Sequence, residues 1–128
     1  MKILVIDDDL AMTDLLRLIL EPASHQIITA NSGPEGIRQA KLNSPDLVIL
    51  DMMMPEMSGP EVCHSLRKFS NVPILILSAL DSPGMVVAAL EAGADEYLIK
   101  PTTSGMLLAH INKLMRRTGK PQKVKATV

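Results

Sequence analysis

The chain has 128 residues, 47% of them hydrophobic and 21% charged, with a formal net charge of −1. That length holds one core, the apolar share exceeds what a disordered chain carries, and the near-neutral balance creates no global field for nucleic acid. A lone Cys63 excludes an internal disulfide and a cysteine-built zinc cluster, and the two aromatic rings, Phe69 and Tyr97, are too few for a base-stacking platform.

The amino terminus offers Met-Lys and four apolar residues, too short for a signal-peptide core. That run, "ILVI" (3–6), reads as a buried strand, and Asp7, Asp8 and Asp9 follow it directly. A helix is predicted over 10–21, with Asp9 as its cap and Leu15, Leu16, Ile19 and Leu20 on one stripe. "QIITA" (26–30) is the second strand. A helix over 32–43 opens on Ser32, with Pro34 in its first turn and Glu35 placed to complete a capping box.

"LVIL" (47–50) is the third strand and ends at Asp51. The helix over 58–69 repeats the Ser, Pro, Glu opening at Ser58, Pro60 and Glu61. "PILIL" (73–77) ends at Ser78, and a helix over 81–94 runs from Asp81 to a C′ glycine at Gly93. Its apolar "MVVAAL" is expected to pack on the sheet, with a hydrophobic docking face as the alternative. "YLI" (97–99) leads to Lys100 and Pro101, and a last helix over 103–117 presents Met106, Leu107, Ile111, Leu114 and Met115. From Thr118 the periodicity stops, which predicts a domain over 1–117 and a basic tail or linker stub over 118–128; from Lys113 onward the sequence holds Lys113, Arg116, Arg117, Lys120, Lys123 and Lys125 and no acid. No apolar run approaches the roughly 18 residues of a membrane span, so a soluble cytoplasmic protein without membrane contact is expected.

Strand and helix alternate five times, and the strands are continuously apolar rather than alternating. Both features point to an α/β domain with a doubly wound, five-stranded parallel sheet flanked by five helices, flavodoxin-like in plan. In such sheets the functional crevice lies beyond the carboxyl ends of the strands. With strand order 2-1-3-4-5, Asp7, Asp8, Asp51, Ser78 and Lys100 converge there. Two unit charges about 4 Å apart repel by roughly 4 kcal/mol at an effective dielectric of about 20, so the acids need a cation or an exit to the surface. Hard carboxylate oxygens suit Mg²⁺, while Lys100 and Ser78 supply a mobile cation and a hydroxyl for a phosphate.

The motifs "ILVIDDD", "PDLVILDMMMPEMSG", "VPILILSA" and "EAGADEYLIKP" together resemble a response-regulator receiver domain of two-component signalling, of the chemotaxis-regulator-like kind, over about residues 1–117. The resemblance implies that Asp51 accepts a phosphoryl group from a sensor histidine kinase or phosphotransfer protein. It implies Asp8 and Asp7 as magnesium residues with Asp51, a backbone carbonyl from Met53 on the metal, Lys100 and Ser78 on the phosphoryl oxygens, Tyr97 as a switch aromatic following Ser78, and a cis Lys100–Pro101 bond. It further implies regulation of transcription through a domain missing here, with a stand-alone receiver or a non-phosphorylated binding module as alternatives. No motif for direct nucleic-acid binding occurs in these residues.

The sequence departs from that pattern at three places, one of them Gly105–Met106, which stands where an acid is common in receivers that pair. Thr102 stands where an apolar ring usually follows Lys-Pro. Met85, Val86 and Val87 occupy a stretch where a basic residue is typical of receivers that form homodimers through the fourth helix, fifth strand and fifth helix, which leaves Asp95, Glu96, Arg116 and Arg117 as pairing charges. Two other classes fit worse. A flavin protein would place its phosphate against the Asp run, and an aspartyl-phosphate hydrolase of the haloacid dehalogenase type needs an acid two residues after Asp51, where Met53 stands.

Overall fold

The computed structural model describes residues 1–23 and 25–117; the predicted tail, with Lys120, Lys123 and Lys125, lies outside the described residues. Strands β1 (Lys2–Ile6), β2 (Gln26–Ala30), β3 (Leu47–Leu50), β4 (Ile74–Ser78) and β5 (Glu96–Ile99) alternate with helices α1 (Leu10–Leu20), α2 (Gly33–Asn43), α3 (Gly59–Arg67), α4 (Pro83–Glu91) and α5 (Ser104–Arg117). The strands form one sheet in the order β2-β1-β3-β4-β5, every neighbouring pair parallel. The expected architecture is present.

Side chains alternate across each strand, so the sheet divides into two cores. Leu4, Ile6, Val48, Leu50, Ile74 and Ile76 pack under α2, α3 and α4 through Ala40, Val62, Leu66 and Ala89. Ile3, Val5, Leu47, Ile49, Leu75 and Leu77 face α1 and α5 through Leu16, Leu20, Leu107, Ile111 and Leu114. The central strands β3 and β4 are buried throughout, while the edge strands β2 and β5 are only partly covered. Each fully buried Leu or Ile contributes about 1.5–3 kcal/mol, and this double layer fixes where each strand ends.

Several local expectations change. In α1 the buried stripe is Thr13, Leu16 and Leu20, with Leu15 at its half-exposed edge. Ser32 caps α2, but Glu35 does not close the box, because Arg38 and Gln39 hold its carboxylate. Ser58 and Glu61 do form the full reciprocal box at α3. Ser82, not Asp81, caps α4, since Pro83 sets the first helical turn one residue later. The α4 apolar run packs on the sheet only through Ala89, less than expected, and Met85, Val87 and Leu90 lie exposed.

His25 is buried beside the amino terminus, and its Nδ1 has no hydrogen-bond partner among the described residues. Burial, with a smaller push from the terminal ammonium, lowers its pKa below the ordinary 6.5. The unfolded chain therefore takes up this proton first, and stability is lost as pH falls from about 6.5 through the folded value. Urea unfolding at pH 7.5 and 5.5 should show the wild type weakening at the lower pH, and His25→Leu weakening markedly less.

Candidate functional site

The sheet ladder itself carries the acids to the crevice. Asp7 N donates to the Ala30 carbonyl at 3.1 Å and Asp51 N to the Ile6 carbonyl at 3.0 Å, so each follows its strand by one further ladder bond. The Asp run then divides its work. Asp9 turns away to cap α1, accepting from Ala11 N at 2.9 Å, while its own N–H donates to Asp7 Oδ1 at 2.9 Å. Asp7, Asp8 and Asp51 remain, with one carboxylate oxygen of each lying within 4.8 Å of the others.

Asp7 is buried, Asp51 half-buried and Asp8 exposed. Lys100 Nζ lies 3.3 Å from Asp7 Oδ2 and partly offsets the repulsion. Burial first, and then the Asp7 charge, push the Asp51 carboxyl above the usual carboxylate range, against the pull of Lys100. Three hard oxygen donors around a solvent-open corner fit a magnesium ion, which needs few protein carboxylates and retains waters.

Ser78 ends β4 at 2% exposure, and its Oγ accepts from Leu80 N at 3.2 Å. The Tyr97 hydroxyl donates to the Leu80 carbonyl at 2.7 Å. Ser78 and Tyr97 are therefore joined through Leu80, a link carried by backbone groups that no side-chain motif announces. Lys100 N donates to the Ser78 carbonyl at 2.8 Å, and the Lys100–Pro101 bond is cis.

Across the crevice, Gly59 opens α3 so close to the acid that an added Cβ would lie 2.7 Å from the Asp51 carbonyl oxygen. Only a residue without a side chain fits there. Met53 is 65% exposed between the buried Met52 and Met54. Asn31 was not anticipated: its Nδ2 donates to the Asp7 carbonyl at 2.8 Å and steadies the acidic loop. The polar end of the second strand was its signal.

The description of the response regulator receiver domain matches residues 3–112. The chain belongs to the response regulator receiver family. This receiver is 44% identical over 119 residues to response regulator MprA of Mycobacterium leprae (strain TN), a match spanning 92% of the chain and 52% of that protein. It is 40% identical over 118 residues to the alkaline phosphatase synthesis transcriptional regulatory protein PhoP of Bacillus subtilis (strain 168), covering 91% of the chain and 49% of the relative. Its fold superposes on a two-component response regulator from Clostridium difficile with a TM-score of 0.89 at 29% identity, over 93% of this chain and 98% of that one. The receiver thus spans about half the length of these curated relatives. Among the described residues no helix is long and apolar enough to cross a membrane.

Of the charges expected to pair two receivers, Asp95, Glu96 and Arg117 are engaged within one. Asp95 holds Arg67 at 3.0 Å and accepts from Ile74 N at 2.8 Å. Burial opposes the charge on Glu96, yet hydrogen bonds from Lys113 and His110, each 2.6 Å long, outweigh it and keep the carboxyl below its usual range. Arg117 approaches the same carboxylate at 3.5 Å. His110 serves as a partner of Glu96, and Cys63 is a buried thiol pushed up to about 11 by its burial, so neither offers a nucleophile here.

Proposed function

We propose that this receiver takes a phosphoryl group from the phosphohistidine of a sensor kinase or phosphotransfer protein onto Asp51, in the cytoplasm, and relays the new charge to an output surface. The observation that carries this reading is the convergence of Asp7, Asp8 and Asp51 with Lys100 at the carboxyl edge of the sheet. An Asp51 carboxylate oxygen attacks phosphorus as the phosphorus–nitrogen bond breaks; the electron pair leaves with the imidazole, which takes a proton from water. Asp7, Asp8, Asp51 and the Met53 carbonyl would hold magnesium, whose charge would neutralise the phosphoryl oxygens in transit. The same residues support slow self-catalysed loss of the phosphoryl group, so the chain is a switch that assists its own chemistry rather than a turnover enzyme.

The aspartyl phosphate brings up to about two negative charges beside Lys100 and Ser78. Turning the Ser78 hydroxyl toward it withdraws that hydroxyl from Leu80 N–H, and the same residue holds Tyr97 through its carbonyl. The output face is then α4, β5 and the start of α5, where Met85, Val87, Leu90, Ile99 and Met106 are exposed. A homodimer on this face rests on apolar contact, since Asp95 and Glu96 are already paired. The relatives named as transcriptional regulators support a transcriptional output, exerted through a part of the protein outside these residues.

Intact-mass spectrometry after incubation with Mg²⁺ and a small acyl phosphate tests the chemistry. One phosphoryl adduct is expected for the wild type, and none for Asp51→Asn or without metal. A folded wild type that takes up no phosphoryl group would mean a receiver-shaped binding module instead. An Asp51→Asn chain with a full adduct would move the acceptor elsewhere.

A further inference from the structure

Three carboxylates meet at the acidic corner, and the structure holds them unequally. Asp7 is fixed at both oxygens: Oδ1 accepts from Asp9 N at 2.9 Å, and Oδ2 lies 3.3 Å from Lys100 Nζ. Asp51 follows its strand by a ladder bond to Ile6 O at 3.0 Å. The exposed Asp8 carboxylate has no such anchor among the described residues, so its place depends on the peptide that carries it.

That peptide begins at the Asp7 carbonyl. Asp7 N closes the last rung between β1 and β2 on Ala30 O at 3.1 Å, and the next rung of a parallel ladder would bring Ser32 N to Asp7 O. The strand has ended by then, because Ser32 turns to cap α2 through its hydroxyl on Glu35 N. A side-chain amide completes the rung instead: Asn31 Nδ2 donates to Asp7 O at 2.8 Å. The same nitrogen lies 3.4 Å from Thr13 Oγ1, so both of its hydrogens have a partner. The buried Thr13 hydroxyl in turn donates to Leu10 O at 3.0 Å. Asn31 is thus clamped to the first turn of α1, and with it the plane of the Asp7–Asp8 peptide.

We infer that Asn31 is a positioning residue for the divalent cation: by fixing the Asp7–Asp8 peptide, it holds the Asp8 carboxylate where a small ion needs it. The inference rests on the magnesium reading of the cluster and gives a role to a side chain outside the ligand set. Mg²⁺ demands near-ideal octahedral geometry at about 2.0–2.1 Å, whereas Ca²⁺ accepts a flexible shell at about 2.3–2.6 Å. A displaced Asp8 therefore penalises the smaller ion more. Outer-shell partners of metal ligands are worth about 10- to 100-fold in affinity, and Asn31, acting through the backbone from an exposed position, belongs at the lower end.

The test titrates the whole chain, without phosphodonor, with MgCl₂ and separately with CaCl₂ at constant ionic strength, followed by backbone amide NMR shifts. Asn31→Leu keeps the size and removes both donors; it should weaken Mg²⁺ about tenfold and Ca²⁺ less than about threefold. In an Asp8→Asn background the same change should leave Mg²⁺ affinity unaltered, because the carboxylate that Asn31 places is gone. Thr13→Val removes only the second partner of the amide and should show the same pattern more weakly, which decides the matter if Asn31→Leu folds poorly. An Asn31→Leu chain that binds Mg²⁺ like the wild type, or that loses equal affinity with and without Asp8, overturns the proposal. Equal losses for Mg²⁺ and Ca²⁺ also overturn it. A wild type that binds neither ion overturns the magnesium reading, and this inference with it.

Discussion

Replacing Arg67 with methionine should cost about 3 kcal/mol of unfolding free energy, the largest loss expected from one surface-adjacent side chain in this receiver. The guanidinium reaches out from α3 and donates to the Gly93 carbonyl twice, at 3.1 and 2.8 Å, to Val72 O at 2.7 Å, to Ser70 O at 3.2 Å and to Asp95 Oδ2 at 3.0 Å. It thus ties the ends of α3 and α4 to the starts of β4 and β5. Gly93 sits at φ +120°, and a Cβ there would lie 2.8 Å from Arg67 Cγ, so the arginine stem lies where a side chain at residue 93 would stand. Methionine keeps much of the stem but leaves carbonyls unpaired in a half-buried site, each costing about 1–3 kcal/mol before water reaches some of them. Asp95→Asn should cost less, about 1 kcal/mol, because an amide oxygen still accepts from Ile74 N. Urea unfolding with the two single variants and the double variant measures the coupling; an Arg67→Met loss below about 1 kcal/mol would show that solvent already serves these carbonyls.

The strands and the acids at their ends were legible because both follow from one-dimensional pattern. A continuously apolar run of four or five residues with acids behind it has few ways to sit in a parallel sheet, and the crevice follows from where such strands end. What escaped depends on partners far apart in the chain or on backbone groups. Arg67 gave no local sign that Gly93 and Asp95, 26 and 28 residues away, would receive it. The Leu80 backbone that joins Ser78 to Tyr97 has no identity in a motif. The α4 helix misled for a different reason. With "MVVAAL" apolar all round and no acid in the first turn or base in the last, nothing in its pattern marked a solvent face, and burial was inferred where most of the helix is exposed. Glu35 had two ways to bond, and the nearby Arg38 and Gln39 drew it from its capping role.

Lys100→Met should lower the stability of the metal-free protein by about 2 kcal/mol near pH 7, and the size of that loss should depend on pH and on magnesium together. Lys100 is 21% exposed and its partner Asp7 6%, so the pair is screened less than a surface bridge, though the exposed Asp8 moderates the cost of breaking it. Asp51 gives the sign. Its folded pKa already stands above the ordinary 3.8, through burial and Asp7, and Lys100 is the charge that draws it down. A carboxyl with a raised folded pKa contributes stability below its unfolded value and loses that contribution as pH rises through the folded one. Without the ammonium the folded value climbs further, so the gap between wild type and variant should be small near pH 4 and widen toward pH 7. A divalent cation among Asp7, Asp8 and Asp51 would replace the missing countercharge, and saturating Mg²⁺ should close most of that gap. Denaturant melts at pH 4, 5.5 and 7, each with and without Mg²⁺, separate the two contributions. A gap that ignores magnesium would remove the ion from this cluster and leave Lys100 as its only countercharge among the described residues; a gap independent of pH would mean that Lys100 acts through the packing of its stem rather than through its charge.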